Sequence, residues 1–508
     1  MVHPDDRHLQ QILWRFNNSD PIQTYQLCTV TYGLGPSSYL ATRTLLRLAE
    51  DEGCHYPKAA SLVSKGYYID DFIGGDDTVE GAIELRNQMS NLMAKGGFIL
   101  RKWASNKLDV LQNLPSDQIG TQSSIKFVPD EMIKTLGITW EPESDYLRFN
   151  ITIKENDGPL TKRKIQSCIA QLFDPLGLIA PVVIAAKIIM QRLRLVPIGR
   201  DDEVSTDLRE LWQDFQPQIT QLSQFKVDRF IFSSKKKTKQ LHCFADASKL
   251  AYGCCVYART VDQDDTVKVQ LISSKSRVAP LKRLSIPRLE LCAALLAARL
   301  YCKVAQALEM EFDPVHFWSD STVVLNWLRA PPYHWKTFVA NRVSEIQTST
   351  RSAEWKHVPG IQNPADLVSR GMHVKELLES DLWSYGPEWL SMPEGNWPEE
   401  SPMVPIPEEL MERETVAAGA VCYEKHNSIF TRYSHFNKLV RVVTWLFRFR
   451  HNCQSRILGQ PLCLNTTLTL EEIENSKTQL IQLVQAESYA QELKSILAGK
   501  LVSPKSTV

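Results

Sequence analysis

The stretch LHCFADASKLAYGCCVYAR, residues 241–259, decides the fold. Apolar residues run from Leu241 to Ala245, stop at Asp246, and resume at Ala251 after a short polar turn. Two β-rich runs with so short a connection read as neighbouring antiparallel strands. VQLISSKSRV, residues 269–278, supplies a third strand and completes a meander. Asp246 ends the first strand, where an acid has no apolar partner to pack against.

Three further acids follow in separate segments. SIPRLELCAALLAARLYCKVAQALE begins a long helix at Ser285, a fitting N-cap, with Pro287 and Glu290 read in its first turn. VHFWSDS ends a strand at Asp320, and STVVLNWL reads as the next helix. EWKHVPG is a last strand, and NPADLVSRG a last helix with Asp366 in its first turn. Two carboxylates at strand ends and two in helix first turns can meet at one sheet edge. Each has a structural alternative, since Asp320 could cap a helix and Asp366 could favour a helix dipole. Four in this order point instead to a two-metal nuclease, because hard divalent cations need several convergent oxygen ligands. His357 reads as a strand histidine without a catalytic role.

Upstream, YYIDDFIGG reads as a hairpin carrying Asp70 and Asp71. QILWRF, YQLCTV, FILRKW and TLGITWEP read as strands, and LATRTLLRLAEDEG and VEGAIELRNQMSNLMAKGG as helices. Long helices follow in KRKIQSCIAQLF, the apolar run through Arg194 and DLRELWQDFQPQI. Downstream of the nuclease pattern, SYGPEWLSMPEGNWPEESPMVPIPEE reads as a surface-hugging linker or strap. Residues 428–455 and 469–499 read as helices, the second amphipathic and charged.

The chain has 508 residues, room for roughly three domains. Its 58 basic residues balance 58 acidic ones, so any nucleic-acid contact must come from local patches. Candidates are Lys235, Lys236, Lys237 and Lys239; Lys275, Arg277, Lys282, Arg283 and Arg288; and Arg441, Arg448, Arg450 and Arg456. The 11 cysteines form no C-x-x-C and suit buried thiols in a reducing compartment, with no structural zinc expected. The N-terminus is no signal peptide, and LIAPVVIAA is too short to span a bilayer, so no membrane partner is expected.

The phrases FADASKLAYGCCVYAR, SIPRLELCAALLAARL, WSDSTVVLNWLRA and HVPGIQNPADLVSRG resemble the RNase H domain of BEL/Pao-type long-terminal-repeat retrotransposons. Tyr68-Ile69-Asp70-Asp71 resembles the YxDD hairpin of reverse transcriptases, and TKRKIQSCIAQLFDPLGLIAPVVIAAKIIMQRL the thumb-to-connection segment of the same polyproteins. The resemblance implies a multidomain α+β and α/β chain. Residues 1–150 would be a truncated reverse-transcriptase palm and 151–235 helical thumb and connection. Residues 236–375 would be an RNase H-like mixed sheet with flanking helices, and 376–508 a linker and helical segment toward an integrase.

By that resemblance Asp246, Glu290, Asp320 and Asp366 would bind two Mg²⁺ (or Mn²⁺) ions and cleave RNA in an RNA–DNA hybrid. Lys275, Arg277, Lys282, Arg283 and Arg288 would track phosphates. Template–primer nucleic acid is the implied partner of the palm, and cytoplasmic virus-like particles the implied location. Asp70 and Asp71 would be a polymerase remnant, because the first catalytic Asp of the family lies upstream of VHPDDRHLQ, and Asp5 and Asp6 read as surface acids. No D-[ST]-G triplet marks a protease. The competing expectation is a non-enzymatic nucleic-acid-binding remnant or co-opted element. A third, a scaffold that oligomerises through residues 469–499, rests on that segment alone.

Overall fold

The computed structural model describes residues 1–68, 70–120, 125–126, 138–149, 151, 158–232, 237–310, 312, 314–350, 353–399, 412, 429–464 and 466–497. Expectations for Lys235, Lys236, Ile69, the start of TLGITWEP and the end of the proline-rich stretch lie outside them. The chain divides into two compact units, Met1–Thr415 and Val416–Val508.

In the first unit, β1 (Gln11–Trp14) and β2 (Gln23–Gln26) form a short antiparallel pair. Helices α1 (Ser37–Glu52) and α2 (Pro57–Gly66) lead into a two-stranded hairpin of β3 (Tyr67–Tyr68) and β4 (Asp71–Phe72). Helix α3 (Val79–Lys95) starts where Thr78 Oγ1 accepts the Gly81 N–H at 3.0 Å, an N-cap of the expected kind. FILRKW is not a strand. Lys102 takes a left-handed φ of 60°, which breaks the extended run, and only an isolated bridge from Trp103 to Ile119 remains. The helix α2 went unanticipated, although Pro57 sits at its start as proline favours.

A second sheet comprises β5 (Ile125–Lys126), β6 (Ile138–Glu141), β7 (Tyr146–Phe149) and β8 (Lys226–Asp228), with α4 (Lys162–Ile169), α5 (Ala180–Leu195) and α6 (Thr206–Phe215) inserted between the last two. The Asp174 carboxylate accepts the Leu178 and Ile179 N–H groups at 2.9 Å each and so closes the start of α5.

The third sheet holds β9 (Thr238–Ala247), β10 (Ala251–Val261), β11 (Val267–Val278), β12 (Val315–Ser319) and β13 (Glu354–His357), in the spatial order β11-β10-β9-β12-β13. The first three form the antiparallel meander; β12 runs parallel to both β9 and β13. Helices α7 (Ile286–Leu308), α8 (Thr322–Arg329) and α9 (Thr337–Ser349) belong to one side. Alternation sorts the strand residues: Leu241, Cys243 and Ala245 pack under α7 with Leu289, Ala293 and Leu296. Among the described residues α7 is the helix long and apolar enough to cross a membrane, and that face is spent on this sheet.

Phe244, Tyr257 and Trp318 point to the opposite face. There they share one core with α4–α6, with α10 (Ala365–Arg370), α11 (Val374–Glu379) and α12 (Asp381–Tyr385), and with Trp389 and Trp397 beyond. The strap is therefore not superficial through residue 397. Tyr257 Oη donates to the Trp383 carbonyl at 2.8 Å, and Arg259 donates to the carbonyls of Leu390 and Met392 at 2.9 and 3.0 Å.

The second unit contains α13 (Ile429–Arg432), α14 (Phe436–Ile457), α15 (Leu470–Ser488) and α16 (Ala490–Leu497). Thr469 and Glu472 form a capping box at the start of α15. The molecule is thus α+β and α/β in several layers, with a mixed sheet flanked by helices.

Candidate functional site

Register puts the first two acids side by side. In the parallel pair, Ala245 is level with Ser319, so Asp246 and Asp320 leave the C-terminal ends of adjacent strands on the same face. The two carboxyls act on each other electrostatically, each among the causes of the other's raised or opposed titration. Ionising both at once is opposed by the repulsion of like charges.

Helix α10 crosses β9 and β10 closely. A Cβ on Gly253, the cross-strand partner of Asp246, would stand 2.6 Å from Val368 Cγ1. The absent side chain lets α10 settle there and brings Ser369 against Asp246, whose carboxylate accepts the Ser369 hydroxyl. Asp366, in the first turn of α10, is bridged by Arg370 one turn on.

Glu290 lies in the second turn of α7, not the first, because the helix starts at Ile286. Its carboxylate accepts the hydroxyl of Ser321, whose oxygen also caps α8 by accepting the Val324 N–H at 3.3 Å. Asn363 donates to the Ala245 carbonyl at 3.1 Å and to Asp320 at 3.4 Å, tying the α10 approach loop to both strand ends. Ser321, Asn363, Ser369 and Arg370 were not singled out from sequence. They lie within FWSDST and NPADLVSRG, and their polarity in otherwise apolar segments is the signal that could have marked them.

Electrostatics follow from this crowding. Burial, then the Asp320 charge, push the Asp246 carboxyl up to about 7, against the Ser369 hydrogen bond. Burial and Glu290 raise Asp320. Burial also raises Glu290, with Ser321 opposing. The four acids stand as one interacting group. Even so, among the described residues no three His, Cys, Asp or Glu side chains are arranged to hold a metal ion. The described contacts explain why: Ser369, Ser321, Asn363 and Arg370 each hold one of the carboxylates.

The basic candidates divide. Lys275 and Arg277 are exposed on β11, and Lys282 and Arg283 on the loop before α7. Arg288 is instead engaged: it bridges Glu412 and stacks over Phe338, 4.8 Å from the ring centroid. Asp70 and Asp71 sit at the β3–β4 hairpin on an open cleft of 2410 Å³, which Arg86, Arg101, Lys102 and Arg229 also line. Burial and Asp70 raise the Asp71 carboxyl, with Lys102 opposing. Asp5 and Asp6 are exposed in a short 3₁₀ turn and are not brought to that cleft.

A mixed five-stranded sheet with acids at the ends of its two central strands and on two flanking helices defines an RNase H-like domain. Residues 161–321 match the family model described as "Pao retrotransposon-like RNaseH-like domain". That segment runs from the cap of α4 through Asp246, Glu290 and Asp320. No curated protein matches.

Solved structures that resemble the chain include a foamy viral protease–reverse transcriptase in complex with double-stranded DNA, at 12% identity and a TM-score of 0.41, covering 70% of this chain and 54% of that one. The foamy viral enzyme in complex with an RNA/DNA hybrid matches at 11% identity and 0.41, covering 71% and 42%. RNase H1 of Halobacterium salinarum matches at 17% identity and 0.19, covering 28% of this chain and 98% of that one. The chain thus spans about half the length of the foamy viral protein, 54% in the first of these matches.

Proposed function

We propose that this chain hydrolyses the RNA strand of RNA–DNA hybrids at the cluster of Asp246, Glu290, Asp320 and Asp366. The observation that carries the reading is the crowding of one buried carboxyl, Asp246, and three half-buried ones at one sheet edge, with Asp246 pushed up to about 7. Such crowding opposes stability and suits a site meant to meet positive charge. The donors are all hard oxygens, a set that fits Mg²⁺ or Mn²⁺. When bound, divalent cations would supply activation of water and neutralisation of charge at the scissile phosphate.

The chain's own residues do the rest. Ser369 and Ser321 orient Asp246 and Glu290, Asn363 fixes Asp320 against the strand end, and Arg370 holds Asp366. These contacts hold the four carboxylates at the sheet edge where a divalent cation would be bound. Lys275, Arg277, Lys282 and Arg283 lie on the surface, where contacts to backbone phosphates would hold a hybrid by shape rather than sequence. On this reading the protein works inside cytoplasmic particles, with the β3–β4 cleft taking template–primer.

We read the palm as idle in polymerisation. Of the other acids on that cleft, Asp76 is bound to Lys58 at 2.6 Å and Asp145 to Arg229 at 2.6 Å, and Asp77 is exposed in the bend that follows β4 rather than on a separate strand facing Asp70 and Asp71. A second reading, a binding protein without turnover, is favoured by one observation: every carboxylate of the cluster already has a protein partner. Cleavage of a labelled RNA–DNA hybrid with Mg²⁺ or Mn²⁺, beside Asp246→Asn, decides between them. Cleavage lost in the variant supports the nuclease. Binding of hybrid by both proteins, with no cleavage by either, supports the second reading.

A further inference from the structure

The unit formed by residues 416–508 holds few apolar side chains inside. Its described core has four buried members, Leu439, Val440 and Val443 on α14 and Leu480 on α15. A hairpin of two helices with so small a core leaves most of its apolar surface in water.

That surface is ordered. On α14, Val442, Leu446, Phe449, Cys453 and Ile457 follow one another at gaps of four, three, four and four residues. This is the spacing of a coiled-coil seam; it starts beside Leu439, one heptad before Leu446, and turns away from the side that buries Val440 and Val443. Leu446, Phe449 and Ile457 are 53%, 69% and 84% exposed. Helix α15 likewise exposes Leu470, Ile481 and Val484, positions separated by heptad-compatible gaps.

Charge says what fits. Helix α14 carries five basic residues (Lys438, Arg441, Arg448, Arg450 and Arg456) and no acid. Helix α15 carries four glutamates against one lysine. The hairpin already uses this complementarity once, in the buried Arg448 paired with Glu472. Arg450 and Arg456, both exposed, neighbour the α14 seam one turn from Leu446 and two turns from Phe449.

We infer that the α14–α15 hairpin is a dimerisation module whose partner is a second copy of this chain. Under a two-fold axis the basic seam of α14 meets the acidic α15 of the other copy, and two hairpins complete a four-helix bundle. A two-fold interface needs a self-complementary patch, and one hairpin supplies both halves. A nucleic acid or an anionic membrane would match α14 alone and leave the apolar residues of α15 uncovered.

Sedimentation equilibrium of the full chain tests this, with nucleic acid removed. The expected result is a dimer at micromolar concentration, weakened by 1 M salt. Leu446→Glu and Phe449→Glu should each weaken it by at least about tenfold at unchanged helicity, since seam residues carry coiled-coil pairing while these side chains lie outside the hairpin core. A wild-type chain that stays monomeric at about 100 μM, where a dimer of micromolar Kd would be largely assembled, overturns the inference. So does a dimer that survives both substitutions, or one that forms only on addition of RNA or anionic vesicles.

Discussion

Replacing Asp246 by Asn should stabilise the protein while abolishing its proposed chemistry. The carboxyl titrates at about 7 in the folded chain, against an ordinary 3.8. At about 1.4 kcal/mol per unit, that shift of roughly three units corresponds to about 4 kcal/mol at most. The sign follows from proton counting. Between pH 3.8 and 7 the folded state keeps a proton that the unfolded chain releases, so stability falls as pH rises through this window and the full deficit is present above it. Asn keeps an oxygen for the Ser369 hydroxyl and carries no charge to repel Asp320. Because Asp320 absorbs part of the relief, a gain of about 2 kcal/mol at pH 8 is the working expectation. Urea denaturation in EDTA, from pH 5 to 8.5, reads this directly. Wild type should lose stability toward pH 8 and the variant should hold level, and Mg²⁺ should restore the wild type. A variant less stable than wild type at pH 8 would refute the charge-crowding argument.

Other expectations follow from the same geometry. Gly253→Ala should force α10 off the sheet, costing about 1–3 kcal/mol of overpacking and lowering hybrid cleavage more than hybrid binding, as a gel assay of both would show. Glu412→Gln should free Arg288 for phosphate; hybrid binding should tighten and its logarithmic salt slope steepen by about one contact. His242 and His316 stack at 5.0 Å in the core, and burial holds both below the usual histidine range. Their neutral forms therefore favour folding above pH 6.5, and that contribution is lost as pH falls below it, so melting temperatures of His242→Gln and His316→Phe should depend less on pH between 4.5 and 6.5 than wild type.

Much of the sheet was legible because its signals are local. Apolar strands end in acids, Pro287 opens a helix, and one residue of register places Asp246 beside Asp320. Position along a helix was harder: Glu290 was read one turn too early because a capping serine and a proline mark a helix start without fixing which later residue completes the first turn. The four side chains that hold the carboxylates escaped notice because serine, asparagine and arginine gain meaning only from their distance to an acid. FILRKW misled because its alternation ignores Lys102, whose left-handed backbone no side-chain pattern announces. Arg288 read as a phosphate contact because Glu412, 124 residues away, could not be foreseen as its partner. The tryptophans of the strap misled in the same way: proline spacing suggested a surface path, whereas Trp389 and Trp397 bury on the sheet.

Gly177 shows how far the five-stranded sheet depends on what precedes it. Its backbone takes a φ of +78°, and a Cβ there would stand 2.0 Å from the Ser274 carbonyl oxygen. Ser274 N–H donates to the Leu176 carbonyl at 2.9 Å, so this loop acts as one more edge partner for β11. The strap seals the same face from the other direction. The module is therefore larger than the five-stranded fold. A chimera joined to another chain at residue 235 would leave β11 with an unmatched edge and its apolar face bare. Junctions before α4 and after Trp397 would preserve it, so chimeras that fold should carry both flanks from one parent.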